Sequence, residues 1–358
     1  MNQKIIVNKL ESSQRLTKDD ALWLYENASL EFLSEWALKS KKQKFGNKVF
    51  YNRNIHFEPT NVCVYSCKFC AFYRKPGSTE ADGAWDFQFK DLKAELDKHP
   101  VGQLTEVHIT GGVHPDRGVE YGIELCRQIR EYRPEVHIKA FTAVEITFFA
   151  RKSKLTVEET LLQLKEAGLD SLPGGGAEIF NASVRKKIAG GKAPAHRWLE
   201  VHETAHKIGL ASNATMLYGH LESFGDRIDH MGDLRDLQDK NQGFMSFIPL
   251  RYLNQNNALS DLPEVGQDDD FRNFAVSRLF CDNIPHLKAY WVMTGMDVAL
   301  ESMKYGVDDL DGTIDDSTKI YSMAGGVSNP KIRSNDLQSL IASQGAQPCE
   351  RNSLYEEI

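Results

Sequence analysis

The sequence predicts an α/β protein: a (β/α)8 barrel of the TIM type, with a helical extension before it and a helical tail after it. Three observations lead there. From residue 55 onward, short apolar runs alternate with amphipathic segments of helical period, the pattern of βαβ units on a parallel sheet. Neither a low-complexity linker nor a repeat at the ~20–50-residue period of solenoids divides the 358 residues. Cysteine and glycine clusters directly follow the predicted strands, where a barrel keeps its chemistry. We therefore expect residues 1–54 to be the helical extension, 55–320 the barrel and 321–358 a tail packing on it.

The elements follow in order. Thr17-Lys18-Asp19-Asp20 reads as a helix N-cap, and Ala21, Leu22, Leu24, Leu30, Phe32 and Leu33 continue at helical spacing over 17–40. The basic run 39–44 reads as a solvated helix end. Strands are expected at 55–59, 106–110, 137–141, 169–172, 211–217, 245–250 and 287–291, with a weaker eighth at 308–313. Helices are expected at 86–98, 119–133, 156–167, 196–208, 226–241, 270–283 and 296–305. Within 156–167, Thr156-Val157-Glu158-Glu159 is a capping box, Leu161, Leu162 and Leu164 supply the apolar face, and Gly168 stops the helix, as Gly209 stops the next. One short helix is expected over 334–343.

Composition narrows the class. With 41% hydrophobic and 26% charged residues the chain is ordinary globular material. A formal charge of −7 argues against nucleic-acid binding, which relies on basic surface. No window approaches the ~18 apolar residues of a membrane span, and the first ten residues carry no apolar core of a secretory leader, so a cytoplasmic protein is expected. Six cysteines without an export signal fit a reducing compartment.

Three of those six cysteines fall within eight residues, in Asn61-Val62-Cys63-Val64-Tyr65-Ser66-Cys67-Lys68-Phe69-Cys70. Thiolates are soft ligands that suit iron–sulfur clusters, and three of them leave one iron of a 4Fe–4S cluster open to a substrate. Zinc would want a second C-x2-C pair or a Cys/His quartet of short spacings, and neither a second pair nor an H-x3-H partner close to the cysteines occurs. Cys126, Cys281 and Cys349 are distant and isolated, so none is an obvious fourth ligand. Cys63, Cys67 and Cys70 are accordingly read as cluster ligands.

The C-x3-C-x2-C spacing with Phe69 before the third cysteine resembles the radical S-adenosylmethionine superfamily. Residues 58–63, 139–146, 172–180 and 211–220 together resemble one of its branches, the aminofutalosine synthase family of the futalosine route to menaquinone. That resemblance implies a 4Fe–4S cluster, S-adenosylmethionine as co-substrate, and a low-potential electron donor such as flavodoxin or ferredoxin. It implies addition of a 5′-deoxyadenosyl radical to the enol-ether double bond of 3-(1-carboxyvinyloxy)benzoate, then aryl migration and decarboxylation to 6-amino-6-deoxyfutalosine. Sibling enzymes with the same cluster, the cyclase acting later in the route or a deazaflavin-forming synthase, remain open. So do an iron–sulfur electron carrier and a zinc-stabilised barrel.

Several strand ends carry candidate groups. Gly111 and Gly112 read as a tight turn or a close backbone approach; the resemblance implies contact with the cofactor, as it does for Phe69 and Phe72. Glu145 reads as a solvated helix start, or by resemblance as the acceptor of the adenosyl ribose hydroxyls. Gly174, Gly175 and Gly176, followed by Glu178, read as a flexible loop or as N–H donors to a substrate carboxylate. Asn213 and Thr215 share a strand face, either facing the lumen or satisfied by neighbours. His220 is a candidate base or carboxylate partner, and Arg251 a candidate carboxylate clamp; a surface histidine and a surface ion-pair residue are the alternatives. Tyr290 is a candidate flank for an aryl ring.

Overall fold

The computed structural model describes residues 3–312, 319–328 and 330–358. Its strands are β1 Lys48–Tyr51, β2 Asn54–Phe57, β3 Glu106–Ile109, β4 His137–Ala140, β5 Ser171–Leu172, β6 Ala211–Tyr218, β7 Phe244–Arg251, β8 His286–Leu287 and β9 Gln347–Glu350. Strands β2 through β8 form one parallel sheet in chain order, so every connection within it crosses over through helical chain. Alternation along the strands sorts the side chains. Ile55, Val107 and Ile138 stand in register on one face and are fully buried, whereas His56, His108 and Lys139 stand in register on the other. The apolar face packs under the helices; the polar one lines the lumen.

The expected barrel is met as far as these seven strands. The eighth segment forms no strand within its described part, 308–312; Asp309 makes isolated parallel bridges to Lys288 and Phe50, and residue 313 lies outside the described residues. Its acidic side chains explain the difference. Asp308 accepts the Leu287 N–H at 2.8 Å and Asp309 accepts the Asp311 N–H at 2.6 Å, so side chains take N–H groups that a ladder would use.

The helices Gln3–Glu11, Lys18–Asn27 and Leu30–Phe45 precede the sheet. Thr17 and Asp20 form the reciprocal cap of the second, as the sequence suggests. The second and third of these helices lie against Gln267–Phe280, where the Tyr25 hydroxyl donates to Asn273 Oδ1 at 2.6 Å. After the helix Ser334–Ser343, β9 returns to pair in parallel with β1, a two-stranded sheet the sequence did not suggest. Beyond the short helix Trp291–Thr294, which begins where a strand was expected to end, two longer helices were not among the expected elements, Ala143–Ser153 and Ala182–Ala189. The first is capped by Thr142 directly after β4, where only a helix start at Glu145 was expected, and the second by Asn181, well beyond β5 and behind the glycine turn.

Candidate active site

One cavity opens at the C-terminal ends of the strands, and most of the residues singled out from the sequence line it. Cys63, Cys67 and Cys70 form part of its wall. Their loop leaves β2 and is tied to four other segments by backbone hydrogen bonds: Cys63 N–H to Arg74 O at 2.8 Å, Val64 N–H to Val113 O at 2.9 Å, Lys68 N–H to Ile188 O at 2.8 Å, and Ala258 N–H to Lys68 O at 2.8 Å. Asn61, fully buried, donates to Gly83 O at 2.9 Å and accepts the Trp85 N–H at 3.0 Å.

All six cysteines are free thiols. Among the described residues, no three His, Cys, Asp or Glu side chains converge on one metal ion. A zinc site needs its ligands about 2.3 Å from one centre, whereas a cubane cluster presents a separate iron to each thiolate, so spread thiols on one wall fit a cluster. Burial pushes the Cys67 thiol up to about 12 and raises Cys70 as well, so thiolates there call for a bound metal. Cys63, Cys67 and Cys70 therefore fit an iron–sulfur group.

Gly111 and Gly112, after β3, line the cavity beside this loop. Gly112 N–H donates to Thr60 O at 2.7 Å, and a Cβ on Gly112 would lie 2.4 Å from Val62 O. The close approach of backbone here is thus between two strand-end loops, one of which carries Cys63. Phe69 and Phe72 also line the cavity, Phe72 with its edge against Trp85 at a ring distance of 5.1 Å.

The glycine triplet after β5 is an ordered turn rather than a loose loop. Thr215 Oγ1 donates to Gly174 O at 2.6 Å, Trp198 Nε1 to Gly175 O at 3.2 Å, and Arg185 to Gly176 O at 2.8 Å. A Cβ on Gly174 would meet Asn213 O at 2.6 Å, and Gly176 has φ of +87°. With its three carbonyls engaged, the turn is held in one conformation at the cavity wall. The next helix starts only at Ala182, so no helix N-terminus lies behind the triplet. Asn213 and Thr215 both face this cavity from β6, and Tyr290 faces it from beyond β8, its ring parallel to His56 at 5.8 Å. Glu178 lines it while ion-paired to Lys192 at 2.5 Å.

Two expected residues are not brought to the cavity, and a third arrives already engaged. Glu145 occupies the third position of the helix Ala143–Ser153, where its carboxylate accepts the Thr142 N–H at 2.8 Å and hydroxyl at 2.9 Å. It does not line the cavity; the sequence Thr142-Ala143-Val144-Glu145 is a capping box, a signal that was legible. Burial raises its carboxyl to about 7 against those hydrogen bonds. His220 lies outside the cavity too, its ring held by Leu221 N–H at 2.6 Å, Leu217 O at 3.1 Å and Glu222 at 3.0 Å. Arg251 does line the cavity, but its guanidinium is doubly bound to buried Asp270, which also accepts the Tyr218 hydroxyl at 2.5 Å.

Two features escaped the sequence reading. Lys192, in the loop after the helix Ala182–Ala189, lines the cavity beside the thiols, its ammonium 5.3 Å from the Phe69 ring centre. A charged floor lies further in, formed by His56, Glu106, His108, Lys139, Lys288 and Asp311. Lys139 pairs with Glu106 at 2.6 Å and Lys288 with Asp311 at 3.0 Å. Polar residues at alternate positions of Asn54-Ile55-His56-Phe57, Glu106-Val107-His108-Ile109 and His137-Ile138-Lys139-Ala140 carry that floor, and the alternation was the available signal.

Comparison with known proteins places these residues in a family context. The model of the radical SAM superfamily matches residues 57–234, and that of the CofH/MqnC C-terminal region matches 241–358. The chain is 42% identical to the aminodeoxyfutalosine synthase of Thermus thermophilus, over 99% of this chain and 95% of that one. It is 36% identical to the cyclic dehypoxanthine futalosine synthase of Streptomyces coelicolor, over 99% of this chain and 88% of that one. Among solved structures, methylornithine synthase superposes with a TM-score of 0.74 at 17% identity, covering 96% of this chain and 97% of that one, a likeness of fold alone.

Proposed function

The chain belongs to the radical S-adenosylmethionine superfamily, and from that membership we propose that it carries out the aminodeoxyfutalosine synthase reaction of menaquinone biosynthesis. In this reading the adenosyl group of S-adenosylmethionine is joined to the enol-ether double bond of 3-(1-carboxyvinyloxy)benzoate. The aryl group migrates, the acrylate carboxylate is lost, and 6-amino-6-deoxyfutalosine results. The observation that carries the reading is that three free thiols, with no fourth cysteine beside them, share one cavity with the strand-end glycines and an aromatic and polar lumen. The higher identity to the synthase, 42% against 36% for the cyclase, favours the synthase over its sibling.

Bound at Cys63, Cys67 and Cys70, a 4Fe–4S cluster would supply the electron that cleaves S-adenosylmethionine. The chain's own residues do the rest by position. Gly111, Gly112, Phe69 and Phe72 wall the cofactor end. The N–H groups of Gly174 to Gly176, with Asn213, Thr215 and Tyr290, bound the substrate end, and Glu178 holds Lys192 beside the thiols. Arg251, fixed by Asp270, presents a cationic edge rather than a free clamp. Enclosure by the sheet limits water around the reacting carbon.

The same proposal takes residues 1–54, 55–320 and 321–358 as extension, barrel and tail, with the acidic segment near 309 completing the barrel. It takes a flavodoxin or ferredoxin as electron donor and the cytoplasm as location; among the described residues no helix is long and apolar enough to cross a membrane. The test is stoichiometric. Reduced, reconstituted protein should consume the enol ether and release methionine in about equal amounts while free 5′-deoxyadenosine stays minor. Release of free 5′-deoxyadenosine with the enol ether unchanged contradicts the reading.

A further inference from the structure

The cations at the cavity are nearly all spoken for by carboxylates. Asp270 holds Arg251, Glu178 holds Lys192, Glu106 holds Lys139, and Asp311 holds Lys288. Against that background His108 stands out. Its ring lines the cavity, and its buried Nε2 has no hydrogen-bond partner among the described residues. An unpaired buried polar group is costly, so a structure that keeps one at a cavity wall is arranged for a group that arrives later.

Its surroundings say which group. His56, His108 and Lys139 occupy the same register on the adjacent strands β2, β3 and β4, so their side chains form a row on the lumen face at the ~4.8 Å strand spacing. The His56 and His108 rings are 4.6 Å apart, and the Tyr290 ring lies parallel to His56 at 5.8 Å with its hydroxyl 3.3 Å from His56 Nδ1. Burial, with His56, Lys139 and Lys288 facing it, holds the His108 pKa well below the usual histidine range against the pull of Glu106. The ring is therefore neutral and has one N–H to give. Lys139 and Lys288 each carry three ammonium hydrogens, more than their carboxylate partners use. An aromatic wall ending in N–H donors fits an arene that bears a carboxylate.

We propose that His108, with Lys139 and Lys288, seats the ring carboxylate of an aromatic carboxylic acid whose arene lies against Tyr290 and His56. This rests on the reaction proposed above. There the double bond must face the thiol wall where the adenosyl group is generated. The ring carboxylate, meta to the enol-ether oxygen, is thereby turned away from that wall and towards this floor. The site accounts for specificity towards a benzoate over a plain phenyl ether, a task for which Arg251 is already engaged by Asp270 and His220 lies outside the cavity.

The test uses the holoenzyme with its cluster unreduced and two saturated probes that cannot react, 3-(1-carboxyethoxy)benzoate and 2-phenoxypropionate, which differ only in the ring carboxylate. Calorimetry should show the wild-type protein binding the diacid at least about tenfold more tightly, as a hydrogen bond to a charged group implies. His108→Leu should cut that ratio several-fold, Lys139 and Lys288 accounting for what remains, with the affinity for 2-phenoxypropionate and the iron content unchanged. His108→Asn, which keeps an N–H, should retain most of the preference and serves also if the leucine variant fails to fold. A wild-type protein with no preference for the diacid overturns the proposal, as does a His108→Leu protein that keeps it undiminished. Failure of the reaction reading appears separately, as a wild-type protein that forms no adenine-containing adduct from the true enol ether.

Discussion

At the scale of single residues, side chains that look alike in sequence are separated by what their neighbours already take. Glu145 sits where a ribose acceptor was expected, but both of its hydrogen-bond donors come from Thr142 and it caps a helix. Glu145→Ala should therefore cost about 0.5–2 kcal/mol of stability, measured by denaturant melting, and leave S-adenosylmethionine affinity unchanged. The pH dependence has a definite sign. Burial raises the folded carboxyl to about 7, above its unfolded value, so the native state binds the extra proton and this group lowers stability as pH rises from about 4.5 towards 7. Glu145→Gln should remove that component of the melting profile. Gly112 is the converse case, where the residue matters for what it lacks. Gly112→Ala would put a methyl 2.4 Å from Val62 O, displacing the loop of Cys63, and should lower the iron bound per chain after reconstitution.

At the scale of elements, the cysteine loop owes its shape to the segments that hold it. Backbone bonds from Arg74, Val113, Ile188 and Ala258 fix its two ends, and Asn61 bridges Gly83 and Trp85 beneath it. Asn61→Ala leaves Gly83 O and the Trp85 N–H unpaired at a buried site, so we expect a loss of about 1–3 kcal/mol and weaker cluster retention, read as iron content after gel filtration. The cysteine spacing was legible because ligand geometry is local in sequence. The strands from 55 to 291 were legible too, because alternation and the following glycines mark them. The helix Ala143–Ser153 was legible only at its start, where Thr142 and Glu145 spell a capping box, because the run Ile146-Thr147-Phe148-Phe149 behind it is β-branched and aromatic and favours extended chain. Lys192 had no local signal at all; only folding brings it beside residues more than a hundred positions earlier.

At the scale of the whole molecule, the chain closes on itself. Strand β9 pairs with β1, and Arg351 reaches Asp309 at 2.6 Å in a buried pair beneath the charged floor that Lys288 shares. No sequence pattern announces a parallel pair formed by segments about 300 residues apart, and a run of aspartates near 309 reads poorly as a strand because its side chains are the ligands of buried cations. Arg351→Met would leave Asp309 buried without its strongest partner, and a loss of about 3–5 kcal/mol is expected in chemical denaturation. All these features serve one claim, that the cavity unites an adenosyl group with an aryl enol ether. The most direct measurement follows the carbon. With S-adenosylmethionine labelled in its ribose, anaerobic reaction with 3-(1-carboxyvinyloxy)benzoate should carry the label into a product that also contains the benzoate ring, detected by mass. Label found only in free 5′-deoxyadenosine would contradict the account.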